Sequence, residues 1–206
     1  MSGSGDEKFL DNVLKGNAYK DIVRVMLQKS GYIIYNYGYE SPFADVKSKL
    51  TKTTRNSKTV RRIRSSPDLL VYDDQKNDLM LVEVKMRGSV PPEIKPRLIK
   101  TYKEFWNDSI LVLVVPEDNV FDNVFYAQKI SELETRPVYY RMADFEKFQH
   151  VFTRVGIETI SHFKSIALQN MKTQKGSILA EGKKELGKKG ENRNLNLLNK
   201  KDKQMN

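Results

Sequence analysis

SPDLLVYDDQKNDLMLVEVKMR, residues 66–87, decides how this chain folds. It holds two runs with the aliphatic and β-branched content of buried strands, near 66–73 and 79–87, and Asp74–Asn77 between them is rich in turn-forming residues. Charge stands where a core excludes it: Asp68 in the first run, Glu83 and Lys85 in the second. An antiparallel hairpin closed by that four-residue loop sets Asp73 opposite Asp78 and, counting back, Asp68 opposite Glu83. Side chains alternate along a strand, so Lys85 shares the face of the two acids while Leu69, Val71, Val82 and Val84 share the other.

Like charges directly across a strand pair destabilise it, so this register needs compensation. Lys85 offers one form, a plain ion-pair cluster. A hard divalent cation offers another: Mg²⁺ is typically held by one or two carboxylates, with water and substrate phosphate completing its shell. A lysine on the same face can then position or deprotonate a metal-activated water, and the ion neutralises charge developing on a phosphodiester.

Pro67-Asp68, fourteen further residues, then Glu83-Val84-Lys85 resembles the PD-(D/E)XK signature of restriction-like nucleases. Helix and strand signals before the motif, and a helix and an apolar strand after it, agree with that family's αβββαβ core over about residues 17–115. The first-helix pattern GNAYKDIV…GY is similar to archaeal Holliday-junction resolvases and Mrr-type nucleases. The resemblance implies an α/β restriction endonuclease-like fold with a mixed sheet and Mg²⁺-dependent hydrolysis of DNA, with Mn²⁺ able to substitute. It implies Asp68, Glu83 and the Val84 carbonyl as metal ligands and Lys85 as the residue serving the attacking water. Many relatives carry a first-helix glutamate a few residues after a glycine. Counting from Gly16, that place falls on Lys20 or Asp21, and Asp21 is the acid that can fill it, with Glu40 at the end of the first strand as its competitor. A junction-cutting member needs a homodimer. The rival readings are a structural hairpin whose acids pair with Lys85 or with Arg61–Arg64, and a non-catalytic nucleic-acid-binding module.

Outward from the motif, residues 17–30 place apolar side chains at 19, 22, 23, 26 and 27, the stripe of an amphipathic helix that Gly31 ends. YIIYNYGYE, from Tyr32, is a Tyr-rich strand, with core packing as the reading for its rings and base stacking as the alternative. Residues 41–65 show no periodicity and are read as a basic loop for phosphate contacts, carrying Lys47, Lys49, Lys52, Arg55, Lys58, Arg61, Arg62 and Arg64. Pro91, Pro92 and Pro96 open a helix to about Asn107, whose Lys95, Arg97 and Lys100 suit phosphate and whose Trp106 packs on the sheet. SILVLVVP is a strand buried on both faces, VFYAQKISEL a short helical segment and PVYYRM a further strand; helices follow from Asp144 and from Gly156.

Composition frames the rest. Net charge is +10, of which the segment from Met171 onward contributes +6, so a polyanion is the expected partner. Residues 1–8 are read as a flexible terminus, 9–170 as one domain with a helical C-terminal part over 144–170, and 171–206 as a basic tail too polar to order itself. There is no cysteine, and His150 and His162 lack a matching cluster, which disfavours thiolate and histidine sites. The longest aliphatic run, Ile110–Val115, falls far short of a membrane span, and an intracellular, nucleic-acid-associated location is expected.

Overall fold

A computed structural model describes residues 3–38, 49–88, 93–116, 123–136 and 140–173, without the side chains of 3–15, 52 and 142. The chain divides into two compact units, Met1–Ala167 and Leu168–Asn206. Of the second, 168–173 are described and are helical; the tail expected to lack order lies, from 174, outside the described residues.

The first unit is built on a six-stranded mixed sheet in sequence order: β1 (Ile33–Asn36), β2 (Leu69–Asp73), β3 (Asp78–Met86), β4 (Ile110–Val114), β5 (Phe125–Lys129) and β6 (Glu146–Lys147). Only β3 and β4 pair in parallel. A parallel pair needs a crossover, and α4 (Pro96–Phe105) provides it, with Pro96 in the first turn where its missing N–H costs nothing. The hairpin keeps the register read from the sequence, Asp73↔Asp78 through Leu69↔Val82, and Asn77 takes the positive φ of 50° that closes its turn.

α1 (Gly3–Lys29) lays Tyr19, Ile22, Val23, Met26 and Leu27 against the sheet; all five are buried, as the sequence stripe requires. Gly31 follows at φ 88°, where a side chain would be strained and would also collide with the Arg154 guanidinium. That guanidinium lies 3.1 Å from the buried Asp73 carboxylate, which also accepts the Gln75 N–H. On the other face α4 sets Ile99 and Tyr102 in a core with Leu111, Leu113, Tyr126 and Ile130. Apart from two short helices between β1 and β2, the order α1-β1-β2-β3-α4-β4 agrees with the αβββαβ core expected of a restriction endonuclease-like fold, extended here by β5, β6 and C-terminal helices. Among the described residues no helix is long and apolar enough to cross a membrane.

Several expectations give way. The basic stretch is not a bare loop: α2 (Lys52–Arg55) and α3 (Lys58–Arg64) form in it because the Thr51 and Ser57 hydroxyls accept the N–H groups of Thr54 and Val60. Ser57→Ala is expected to cost about 1 kcal/mol through loss of that cap, read as a lower thermal midpoint. Residues 3–8, taken as flexible, belong to α1. VFYAQKISEL is a strand over Phe125–Lys129 and helical only in a 3₁₀ turn at Ile130–Glu132, because β4 is apolar on both faces and β5 covers its free edge, burying Phe125, Tyr126 and Ala127.

PVYYRM supplies no strand among its described residues: Tyr140 is buried with its hydroxyl donating to the Glu134 carbonyl, and 137–139 lie outside. The helix expected from Asp144 is a 3₁₀ turn at Met142–Asp144, then β6, then the short α5 (Phe148–Val151). Asp144 spends its carboxylate on the Arg141 N–H and on the Arg136 and Arg141 guanidinia instead of capping a longer helix. A last helix, α6, starts at 157 and buries Ile160, Phe163 and Ala167. Tyr35 on β1 and Tyr37 just after it are exposed, not core, whereas Tyr32 just before the strand is buried.

Candidate active site

Where the β2–β3 ladder stops at Leu69↔Val82, Pro67 has no N–H to continue it, and Asp68 turns its side chain to the task. Its Oδ2 accepts the Val84 N–H at 2.9 Å, while its carbonyl accepts the N–H groups of Tyr37 and Gly38. One rung on from the ladder, Asp68 and Glu83 occupy the same face. Arg87 donates its N–H to Val114, so odd positions of β3 serve β4 and even ones face β2. The Val84 carbonyl therefore lies on the edge of β3 that Asp68 occupies.

Glu83 is buried and pairs with Lys85, and the Tyr102 hydroxyl is a further hydrogen-bond partner. Burial pushes its carboxyl up to about 7; Asp68 adds to the rise and Lys85 opposes it. Burial pushes the Lys85 ammonium down, but the charges of Glu83 and Asp68 outweigh it, and the net shift is upward. Lys85 is thus held as a cation, fit to donate hydrogen bonds rather than to take up a proton.

These groups line a cleft of about 980 Å³. Its walls bring Arg61, Arg64, Arg87, Lys95 and Arg97 to the same opening as Lys85, against three acids, Asp68, Glu83 and Glu93. α3 and the start of α4 supply most of these cations. A second concavity, about 510 Å³ at the hairpin-turn end, sets five acids, Asp73, Asp78, Asp108, Glu132 and Glu146, against Lys76 and Lys129. A polyanion is drawn to the first and repelled by the second.

The structure sorts the remaining sequence candidates. Of the first-helix pair it is Lys20, not Asp21, that reaches the site: Lys20 Nζ lies 3.2 Å from Asp68 Oδ1, while Asp21 is exposed and paired with Arg24 at 3.0 Å. Glu40, Lys47 and the Lys52 side chain lie outside the described residues. Lys49, Arg55, Lys58, Arg62 and Lys100 are exposed and do not line the cleft. Arg62 lies 5.4 Å over the Trp106 ring, and Arg61 meets Glu104 at 2.6 Å. Arg87, Glu93 and Gly38 line the cleft without having been singled out from sequence, although the alternation that puts Lys85 beside Glu83 places Arg87 there too.

As a donor set the site is all oxygen: two carboxylates and one strand-edge carbonyl. That suits a hard ion such as Mg²⁺, which keeps much of its own water, and offers nothing to a softer metal. Among the described residues no group of three or more acidic, histidine or cysteine side chains is arranged to hold a metal, and this site offers two carboxylates and a carbonyl. Neither a family model nor a curated protein matches the sequence. The chain is similar to the solved structure of Archaeoglobus fulgidus Hjc, a Holliday junction resolvase from an archaeal hyperthermophile, at 15% identity and a TM-score of 0.42, covering 66% of this chain and 94% of that one.

Proposed function

We propose that this chain is a metal-dependent nuclease hydrolysing phosphodiester bonds in DNA. The observation that carries the reading is the opposed pair Asp68 and Glu83, with Lys85 beside them, at the floor of a cleft walled by cations. Asp68, Glu83 and the Val84 carbonyl would hold Mg²⁺ or Mn²⁺. Such an ion supplies a water of lowered pKa and a counter-charge for the phosphorane-like transition state. Lys85 orients that water and donates to the developing oxyanion, and Arg64, Lys95 and Arg97 grip phosphates on either side of the scissile one. A preference for branched DNA, and the homodimer that paired nicks across a junction would need, belong to the same reading through the first-helix pattern.

One observation favours a second reading. Each acid already has an ammonium partner, Lys20 on Asp68 and Lys85 on Glu83, which would suit a binding module that never cuts. Incubation with supercoiled plasmid and with a four-way junction decides between them. Nicking that needs Mg²⁺ or Mn²⁺ supports the nuclease; binding without nicking under either ion leaves the module. Replacing Arg64 and Arg97 with alanine is expected to flatten the dependence of log K on log[salt] by about 2, one phosphate contact for each side chain. The measurement is binding across a salt series, and an unchanged slope would remove these two residues from the phosphate path.

A further inference from the structure

We propose that Lys20 is a resident counter-ion of the site, which a divalent cation must displace from Asp68 before it can bind. The proposal rests on the nuclease reading and adds a residue to it. The two oxygens of Asp68 are not equivalent. Oδ2 is fixed to the backbone of β3 through the Val84 N–H, so Oδ1 is the one left to meet an incoming ion, and Oδ1 is the atom Lys20 holds at 3.2 Å. On Glu83 the matching ammonium, Lys85, comes from two residues along the same strand and stays beside it whatever happens at Asp68. Lys20 reaches in from α1 on a flexible four-carbon stem, with one-fifth of its side chain exposed.

Gly38 lines the cleft and borders Lys20, which does not itself line it: a Cβ at residue 38 would lie 3.8 Å from the Lys20 ammonium, so no side chain of residue 38 blocks the amine's way toward the opening. Two carboxylates and two ammoniums balance. An added double charge meets repulsion from both amines unless one leaves, and Lys20 is the one free to go. Once displaced, its flexible stem would let the amine pass Gly38 toward a nucleic-acid phosphate in the cleft, so metal and substrate would favour each other: the phosphate receives the amine that the metal expels.

The test is Mn²⁺ binding to the full chain without nucleic acid, followed by the loss of the free-ion electron paramagnetic resonance signal. Lys20→Met removes the charge and keeps the stem, and is expected to bind Mn²⁺ about tenfold tighter than wild type, the order that loss of one adjacent like charge supplies when water screens it nearly fully. Lys20→Arg keeps the competition and should match wild type. Lys20→Gln, neutral but still able to donate to Asp68, gives the same answer should the Met variant fail to fold. A residue that merely supported the site would weaken metal binding when lost. Equal or weaker Mn²⁺ binding by the neutral variants overturns the proposal, and metal-dependent nicking by wild type alongside that result leaves the nuclease reading standing. Binding by neither wild type nor variants overturns both.

Discussion

Lys85→Ala is expected to lower the single-turnover rate of DNA cleavage by a factor on the order of 10²–10⁴ while changing DNA affinity only a few-fold. The split follows from where the side chain sits. The other five cations of the cleft wall remain to hold phosphate, so the ground-state complex survives. What goes is the ammonium paired with Glu83. The same change acts on Glu83: without the charge that opposes burial, its carboxyl moves further above about 7, and any residual activity that needs the carboxylate should shift to higher pH. Quenched-flow cleavage and filter binding on the same preparations separate the two effects. Wild-type cleavage by Lys85→Ala would remove the chemistry from this site altogether.

Glu83→Gln is expected to abolish cleavage and to remove the loss of stability that the metal-free wild type undergoes as pH rises toward 7. In the folded chain burial lifts the Glu83 carboxyl from 4.5 to about 7, so between those values the native state keeps a proton that the unfolded state has released. Stability from this group is therefore fully present below about pH 4 and declines as pH rises through 7. The decline amounts to about 3 kcal/mol at full extent. The glutamine variant lacks this decline but also leaves the buried Lys85 ammonium without its partner, so it is its stability relative to wild type that should rise, by about 2–3 kcal/mol between pH 5 and pH 8, from whatever offset the lost pair sets. Urea melts in EDTA at pH 5, 6, 7 and 8 would show the two curves diverging upward in pH. Parallel curves would mean that Glu83 is ionised in the fold throughout, with Lys85 and Tyr102 outweighing burial.

The hairpin was legible because its information is local: turn residues, alternation and the placing of three charges agree on one register, and the ladder from Asp73↔Asp78 follows it. The stripe of α1 was legible for the same reason. What the sequence concealed depended on neighbours. Whether Lys20 or Asp21 meets Asp68 is a matter of about 100° of rotation about α1, settled by which side of the helix docks on β3. Phe125–Lys129 becomes a strand because β4 has an edge to cover, which no window around residue 125 contains. The caps at Thr51 and Ser57 were present in the text, but the density of cations around them masked a helical signal only one or two turns long.

Asp68 completes the hairpin with a side chain, and its balancing charge arrives from a distant helix, which has a consequence for how the chain reaches its native state. A turn of four residues zips quickly from its closed end. The open end then brings two negative groups together with Lys85 alone from the hairpin to offset them, while α1 must first be brought back across the residues that separate it from β2. The last rung of the hairpin is therefore expected to close together with the landing of the first helix, which would make the reactive corner one of the later parts of the molecule to assemble.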